Sequence, residues 1–128
     1  MARSPVSAFE AAVRLLAGRD KSRAQLTQAL EQKGHSTLEI AQALERCELH
    51  GYLDDRRLAA DLARRLFAED RSVAFVRGRL EARGLDPAAV EAVAHDEAGA
   101  ARRLLKKKKL SGAKAARFLL GRGFEEGL

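Results

Sequence analysis

A dense cluster of basic side chains near residue 105 has the clearest chemical use in this sequence. Six of the eight residues from 102 to 109 are basic, namely Arg102, Arg103, Lys106, Lys107, Lys108 and Lys109. Such a density of positive charge attracts the phosphates of a nucleic acid or an acidic protein surface. A helix end can also carry cations that complement its dipole, but six charges exceed that need. We therefore predict a contact with a polyanion here.

A second basic set precedes the first, and consists of Arg64, Arg65, Arg77 and Arg79. The planar guanidinium group is suited to two-pronged contacts with carboxylates or phosphates, although an ordinary solvated face remains an equal alternative. Charge is uneven along the chain of 128 residues. Residues 1–55 carry 7 basic and 8 acidic side chains, whereas residues 56–128 carry 17 and 10. The second half is therefore the half expected to meet a polyanion.

The remaining reactive residue types form no catalytic or metal-binding pattern. Asp54 and Asp55 lack a third carboxylate or histidine at ligand spacing, and Asp54 fits the start of a helix. Cys47, the single cysteine, continues an apolar helical stripe and cannot form an internal disulfide. The three histidines are scattered, and no nucleophile is paired with a base. We predict a protein without catalytic residues, metal or cofactor, and not an enzyme.

An internal repeat indicates the elements that position these residues. Three segments align without a gap; each has a leucine six positions before a serine and a glycine twelve after it: Leu16, Ser22 and Gly34; Leu66, Ser72 and Gly84; Leu105, Ser111 and Gly123. A base precedes each glycine (Lys33, Arg83, Arg122) and is expected to complement the helix dipole. The serine predicts a helix cap, and the glycine predicts a left-handed helix end. The sequence therefore describes tandem units of similar construction.

Apolar residues at helical spacing complete the picture of each repeat. The first helix of repeat one has a stripe starting at Phe9, and that of repeat three is broken at Arg102. Core positions of the second helices are Leu26 and Leu30, Val76 and Leu80, and Ala115 and Leu119. The third helices are expected to begin at the Ser36 cap and at Asp86–Pro87. Ser22 with Gln25, and Ser36 with Glu39, predict capping boxes, and Asp54 is expected to cap the first helix of repeat two.

We therefore predict an all-α fold of tandem three-helix repeats arranged as an elongated array. The predicted boundaries are an N-terminal tail at 1–8 and repeats at 9–53, 54–96 and 97–128, the third truncated and lacking its last helix. The first residues contain no secretion signal and no run is long enough to span a bilayer, so we expect a cytoplasmic protein.

The sequence resembles the RecX family, regulators of the RecA recombinase. The resemblance rests on the serine, leucine and Lys-Gly pattern of repeat one, on GYLDDRRLA at 51–59, on RLEARGLD in repeat two, and on the terminal FLLGRGFEEGL. GYLDD, which comprises Gly51, Tyr52, Leu53, Asp54 and Asp55, is the most specific part. Tyr52 either packs at a repeat junction or faces the partner. One departure is AEDRS at 68–72, where the family has a Lys-Gly-type turn.

The resemblance implies a curved helical array that lies in the groove of the RecA filament on single-stranded DNA. It implies restraint of the ATPase, strand-exchange and coprotease activities of RecA. The expected partners are RecA and its filament, with room for weak nonspecific DNA binding, no membrane contact and a monomeric state.

A stand-alone DNA-binding protein of helix-turn-helix type is the alternative, because two helices joined by a glycine turn can present a recognition helix. The tandem repeat, the lack of a repeated base-reading set and the 5% aromatic content count against it. Sequence preference would distinguish the two, since base readout requires discrimination of roughly a thousandfold or more.

Overall fold

The structure, a computed structural model, describes residues 6–125 and contains only helices within that range. In chain order the helices are α1 (Ala8–Gly18), α2 (Arg23–Gln32), α3 (Thr37–Leu49), α4 (Asp55–Ala68), α5 (Val73–Ala82), a 3-10 helix (Pro87–Ala92), α6 (Glu97–Lys108) and α7 (Gly112–Gly121). The all-α prediction is confirmed. The start of the predicted tail and the last three residues of repeat three lie outside the described range.

Side-chain caps begin the helices of the first repeat where the sequence predicted them. Ser22 and Gln25 form a reciprocal capping box at α2, and Ser36 and Glu39 form another at α3. The carboxylate of Asp54 accepts the backbone N–H of Arg57 at 3.1 Å at the start of α4. These bonds satisfy amides that have no partner within the first helical turn.

Left-handed residues end most helices, as the glycine register predicted. Gly84 (φ +72°) and Gly51 (φ +74°) adopt the left-handed conformation, which is unfavourable for residues with a Cβ and open to glycine without steric cost. Two other turns place a side chain in the same region, at Asp70 (φ 59°) and Lys109 (φ 56°). Asp70 belongs to the AEDRS turn, and aspartate tolerates this region better than most residues with a side chain.

Two expectations are met only in part: the third helix of repeat two begins where predicted but is not an α-helix, and the predicted side-chain cap of α7 is not formed. The third helix of repeat two is a six-residue 3-10 helix rather than an α-helix, although Asp86 does accept the N–H of Ala88 at 2.9 Å. Val93 already has an extended backbone, and Asp96 caps α6 three residues later, so the chain has no room for further helical turns. Ser111 does not cap α7: it is exposed, and its side chain makes no capping bond. Gly112, the first residue of α7, has φ +63°, so the chain enters this helix through a residue in the left-handed region.

The chain divides into two compact units. One consists of the chain up to Leu58 together with Arg83–Leu85, and the other of Ala59–Ala82 together with the chain from Asp86 onward. In the first unit, α1 packs on α2 and α3 around a core of the predicted inward residues Leu26, Leu30, Ile40, Leu44 and Cys47. Their burial removes apolar surface from water and drives this packing.

His35 is an exception in this core. In each repeat, the residue that follows the glycine at the end of the second helix is buried. These residues are His35, Leu85 and Phe124. Neither ring nitrogen of His35 has a hydrogen-bond partner among the residues that the structure describes. A buried polar atom without a partner opposes folding, so the imidazole occupies a position that suits an apolar side chain.

In the second unit the predicted core positions Val76, Leu80, Ala115 and Leu119 are buried. The first helix of repeat three contributes Ala100 and Ala101, while Arg102 is exposed, as the broken stripe predicted. No helix among residues 6–125 has the length and apolar character required to cross a membrane.

Candidate nucleic-acid and partner-binding surface

The four lysines of the basic cluster occupy the last turn and the end of α6. All four are exposed: Lys106, Lys107, Lys108 and Lys109. None of them pairs with a carboxylate in the part of the chain that the structure describes. Their charges complement the negative end of the α6 dipole and are also free to meet a polyanion.

The two arginines of the same cluster are engaged within the fold. Both Nε and a terminal nitrogen of Arg103 donate to one carboxylate oxygen of Asp70, at 2.9 and 2.7 Å. This hydrogen bond raises the pKa of the Arg103 guanidinium. Arg102 lies 3.9 Å from the carboxylate of Asp96. Arg103 therefore fixes the left-handed turn at Asp70 in addition to carrying charge.

Most of the second basic set is also paired with acids. Three members contact carboxylates: Arg64 with Asp61 at 2.8 Å, Arg65 with Glu69 at 4.0 Å and Arg77 with Glu91 at 3.7 Å. Within the described range Arg79 has no carboxylate partner, and it lies 5.6 Å from the ring centroid of Phe75. Exposed pairs of this kind contribute little to stability and exchange readily with another anion.

Sequence reasoning missed Arg71. Its guanidinium carbon lies 4.4 Å from the centroid of Phe75, on which Arg79 also stacks. The spacing of Phe75 and Arg79 was a partial signal, because residues four apart on a helix are neighbours. Arg71 precedes α5, so helical spacing did not indicate its contact with Phe75.

A pair of stacked rings lies near Arg71. Phe67 and His95 are parallel within 9°, with centroids 4.4 Å apart. Nδ1 of His95 lies 2.9 Å from the carbonyl oxygen of Val93, which can only accept, so this nitrogen carries a proton. Phe67, Arg71 and His95 line one cleft of about 270 Å³. No sequence pattern indicated this pair, because Phe67 and His95 are 28 positions apart in the chain.

The GYLDD motif has mainly structural contacts. Leu53 is buried, Asp54 caps α4, and the carboxylate of Asp55 accepts the N–H of Arg23 at 2.8 Å. Tyr52 is 49% exposed and stacks on His50 with centroids 5.1 Å apart. Its ring is the part of the motif available to a partner.

The repeated serines have a second role that the sequence did not indicate. Ser22 and Ser72 are fully buried, and each hydroxyl donates to a backbone carbonyl that precedes a repeat glycine. Ser22 donates to Arg83 and Ser72 donates to Arg122, the second bond measuring 3.0 Å. Each serine thus caps its own helix and holds the end of another.

Two of the bases before the glycines have contacts other than the expected one with the helix dipole. A terminal nitrogen of Arg83 donates to the carbonyl of Asp20 at 3.1 Å and to the side chain of Gln25 at 3.2 Å. Arg122 lies 5.3 Å from the ring centroid of Phe118. Side-chain and ring contacts therefore help to orient both guanidinium groups.

Cys47 and the acidic residues show no arrangement suited to catalysis or metal binding. Burial raises the pKa of the Cys47 thiol and disfavours the reactive thiolate. Among residues 6–125, no group of three or more histidine, cysteine, aspartate or glutamate side chains could hold a metal ion.

Comparisons with known proteins identify the family. Residues 8–47 match the family profile described as RecX, first three-helix domain. A regulatory protein RecX of Legionella pneumophila is 34% identical over 90 residues, which are 70% of this chain and 60% of that protein. A regulatory protein RecX of Vibrio vulnificus is 31% identical over 131 residues, covering 93% of this chain and 86% of the relative.

A solved structure has the same fold. The crystal structure of RecX from Lactobacillus salivarius superposes with a TM-score of 0.79 at 16% identity, over 93% of this chain and 87% of that one. The Vibrio match extends over nearly all of both proteins, and the sequence resemblance is thereby confirmed. The chain belongs to the RecX family of regulatory proteins.

Proposed function

We propose that this chain binds RecA and the RecA filament on single-stranded DNA and inhibits the ATPase, strand-exchange and coprotease activities of RecA. The near full-length match to regulatory proteins named RecX carries the proposal. The exposed basic residues and the absence of a metal-ligand cluster among residues 6–125 are compatible with a protein that acts by binding.

The proposed contact residues fall into two groups with different tasks. The α6 lysines, defined as Lys106 to Lys109, have no acid partner among residues 6–125 and are assigned to DNA phosphates or to acidic loops of RecA. The repeat-two arginines, defined as Arg64, Arg65, Arg77 and Arg79, are assigned to the RecA surface. Three of these arginines already pair with exposed carboxylates, which a carboxylate on RecA can replace at little cost.

The direct test is the ATPase activity of RecA on single-stranded DNA, measured over a range of concentrations of this protein. We expect inhibition at less than one molecule per RecA. Unchanged hydrolysis at every ratio, together with sequence-selective binding to duplex DNA, would refute the proposal and support the helix-turn-helix alternative.

A quadruple alanine variant of the α6 lysines tests the first assignment. It should bind the filament more weakly and with a flatter dependence on salt, because each lost phosphate contact removes about 0.7 units of slope for a single strand. The matched control removes four exposed basic side chains from the other unit: Arg14, Arg19, Lys33 and Arg56. If both variants lose the same affinity, the lysines act only through net charge. If binding to bare DNA is unchanged while filament binding weakens, the lysines contact RecA.

A quadruple alanine variant of the repeat-two arginines tests the second assignment. It should lose more inhibition of the ATPase than binding to bare single-stranded DNA. Fluorescence anisotropy on bare DNA and the ATPase assay separate these effects. Equal losses in both assays would place this face on DNA instead. Full inhibition by both quadruple variants would place the docking face elsewhere, with the exposed ring of Tyr52 as the next surface to test.

A further inference from the structure

Two arginines are held by an aromatic ring instead of by a carboxylate. The guanidinium carbons of Arg71 and Arg79 lie 4.4 and 5.6 Å from the centroid of Phe75, and neither pairs with an acid among residues 6–125. A guanidinium on a ring is oriented by that contact, while the N–H donors at its edge remain available. Such donors match the paired oxygens of a phosphate.

The cleft beside Arg71 offers a flat aromatic surface. His95 is exposed, stacks on Phe67, and is further fixed by its Nδ1 contact with Val93. The cleft of about 270 Å³ brings this ring pair and the Arg71 side chain to one opening. An unpaired nucleobase can extend such a stack, because every base has a π-face.

The two acids that line the cleft, Asp96 and Glu97, are engaged by the fold, and so are Asp61 on α4 and Asp70 in the turn after it. Asp61 pairs with Arg64, Asp70 with Arg103, Asp96 accepts the N–H of Gly99, and Glu97 accepts the N–H of Val73. These carboxylates hold helix starts and turns in place. Of the two arginines on Phe75, Arg71 lines the cleft, and both keep N–H donors that no carboxylate occupies among residues 6–125.

We infer that Arg71, Arg79 and His95 form a binding site for one strand of a nucleic acid. A base stacks on His95, and neighbouring phosphates bind Arg71 and Arg79. A duplex keeps its bases stacked on each other, and a run of Asp and Glu residues has no ring to place on His95, so a single strand fits both halves of the site. The inference deepens the proposed function, on which it rests for its biological setting, by assigning residues to the strand.

The phosphate half is tested by fluorescence anisotropy of a labelled oligothymidylate without RecA, over a series of salt concentrations. Arg71→Gln and Arg79→Gln should each weaken binding and reduce the slope of log K against log salt by about 0.7. Arg117→Gln is the matched control, because it removes one exposed charge from the same unit. Circular dichroism melts of each variant establish that it is folded, and Arg71→Lys retains the charge if Arg71→Gln does not fold.

The base half is tested with an abasic strand of the same length and charge. Wild type should bind oligothymidylate at least about fivefold more tightly than the abasic strand, the effect of one base–aromatic stack. His95→Ala changes an exposed residue; it should lose that preference and keep the wild-type salt slope. Cross-linking of a bromouracil-substituted strand should label the peptide containing His95.

Several results would overturn the inference. These are equal binding of thymidylate and abasic strands by wild type, arginine variants that match Arg117→Gln, duplex bound as tightly as single strand, or a poly-glutamate peptide that competes as well as the strand. None of these assays contains RecA. Inhibition of the RecA ATPase by a protein that fails them would leave the proposed function standing and remove this site alone.

Discussion

Gly84 allows a sharp test of how the repeat glycines act, because two separate effects oppose a side chain there. Its φ of +72° is unfavourable for any residue with a Cβ. A Cβ at Gly84 would also lie only 2.5 Å from the Cβ of Ala24, within the first unit. Gly51 has almost the same φ, +74°, with nothing within 4 Å of the added atom. The two glycines therefore separate backbone strain from close packing.

The expected magnitudes follow from these geometries. Gly51→Ala should cost about 1–2 kcal/mol of unfolding free energy, the cost of a left-handed conformation for an L-residue. Gly84→Ala bears the same cost and must also push Ala24 aside, which adds about 1–3 kcal/mol for overpacking. We therefore expect Gly84→Ala to cost about 2–5 kcal/mol, clearly more than Gly51→Ala.

Urea denaturation followed by circular dichroism measures both variants under one protocol. A double-mutant cycle adds the decisive control: in an Ala24→Gly background, the cost of Gly84→Ala should fall toward that of Gly51→Ala. Equal losses for the two glycine variants, or no coupling to Ala24, would show that close packing is not a reason for glycine at this position.

Four further predictions concern stability, each measured by urea denaturation. Leu80→Ala should cost about 2–5 kcal/mol because the side chain is fully buried; a near-neutral result would mean that the core face is assigned incorrectly. Ser72→Ala should cost about 1–3 kcal/mol through loss of a cap and of a buried hydrogen bond, whereas Ser111→Ala, at an exposed serine without a capping bond, should stay within about 0.5 kcal/mol; similar losses would contradict the second role of Ser72. His35→Leu should stabilise the protein by about 1–2 kcal/mol by removing unpartnered polar atoms, and a loss would show that the ring nitrogens are satisfied in solution. Lys109→Gly should stabilise by about 1 kcal/mol because φ is 56°, unless the lysine side chain itself supports the helix end.

Local features of the fold could be predicted because they depend on residues only a few positions apart. The capping boxes at Ser22 and Ser36 join residues three apart, and the left-handed conformation of Gly84 follows from its place at a helix end. The inward positions Leu26 and Leu30 follow from helical periodicity. Residues 51–55 also carried enough of the family pattern to indicate its membership.

The sequence was less informative where local preferences compete. The Asp86–Pro87 start is genuine, yet the following segment forms a 3-10 helix because the chain must reach the cap of α6 within a few residues. Ser111 has the same repeat position as Ser72, but the left-handed Gly112 beside it changes the entry into the helix. A serine at this repeat position therefore predicts a helix cap only if the next residue adopts a helical backbone conformation.

Composition and spacing determined that this protein is helical and repetitive, and that its second half is basic, because these properties depend on the residues themselves or their near neighbours. Tertiary structure decided which basic side chains pair with a carboxylate and which keep N–H donors available to a partner. Arg103 pairs with Asp70, 33 positions away, while Arg71 lies on the ring of Phe75 and has no carboxylate partner among residues 6–125. The hydroxyl of Ser72 reaches the carbonyl of Arg122 across 50 positions. Such pairings form only when tertiary packing brings distant segments together, and the order of charged residues along the chain does not determine which segments meet.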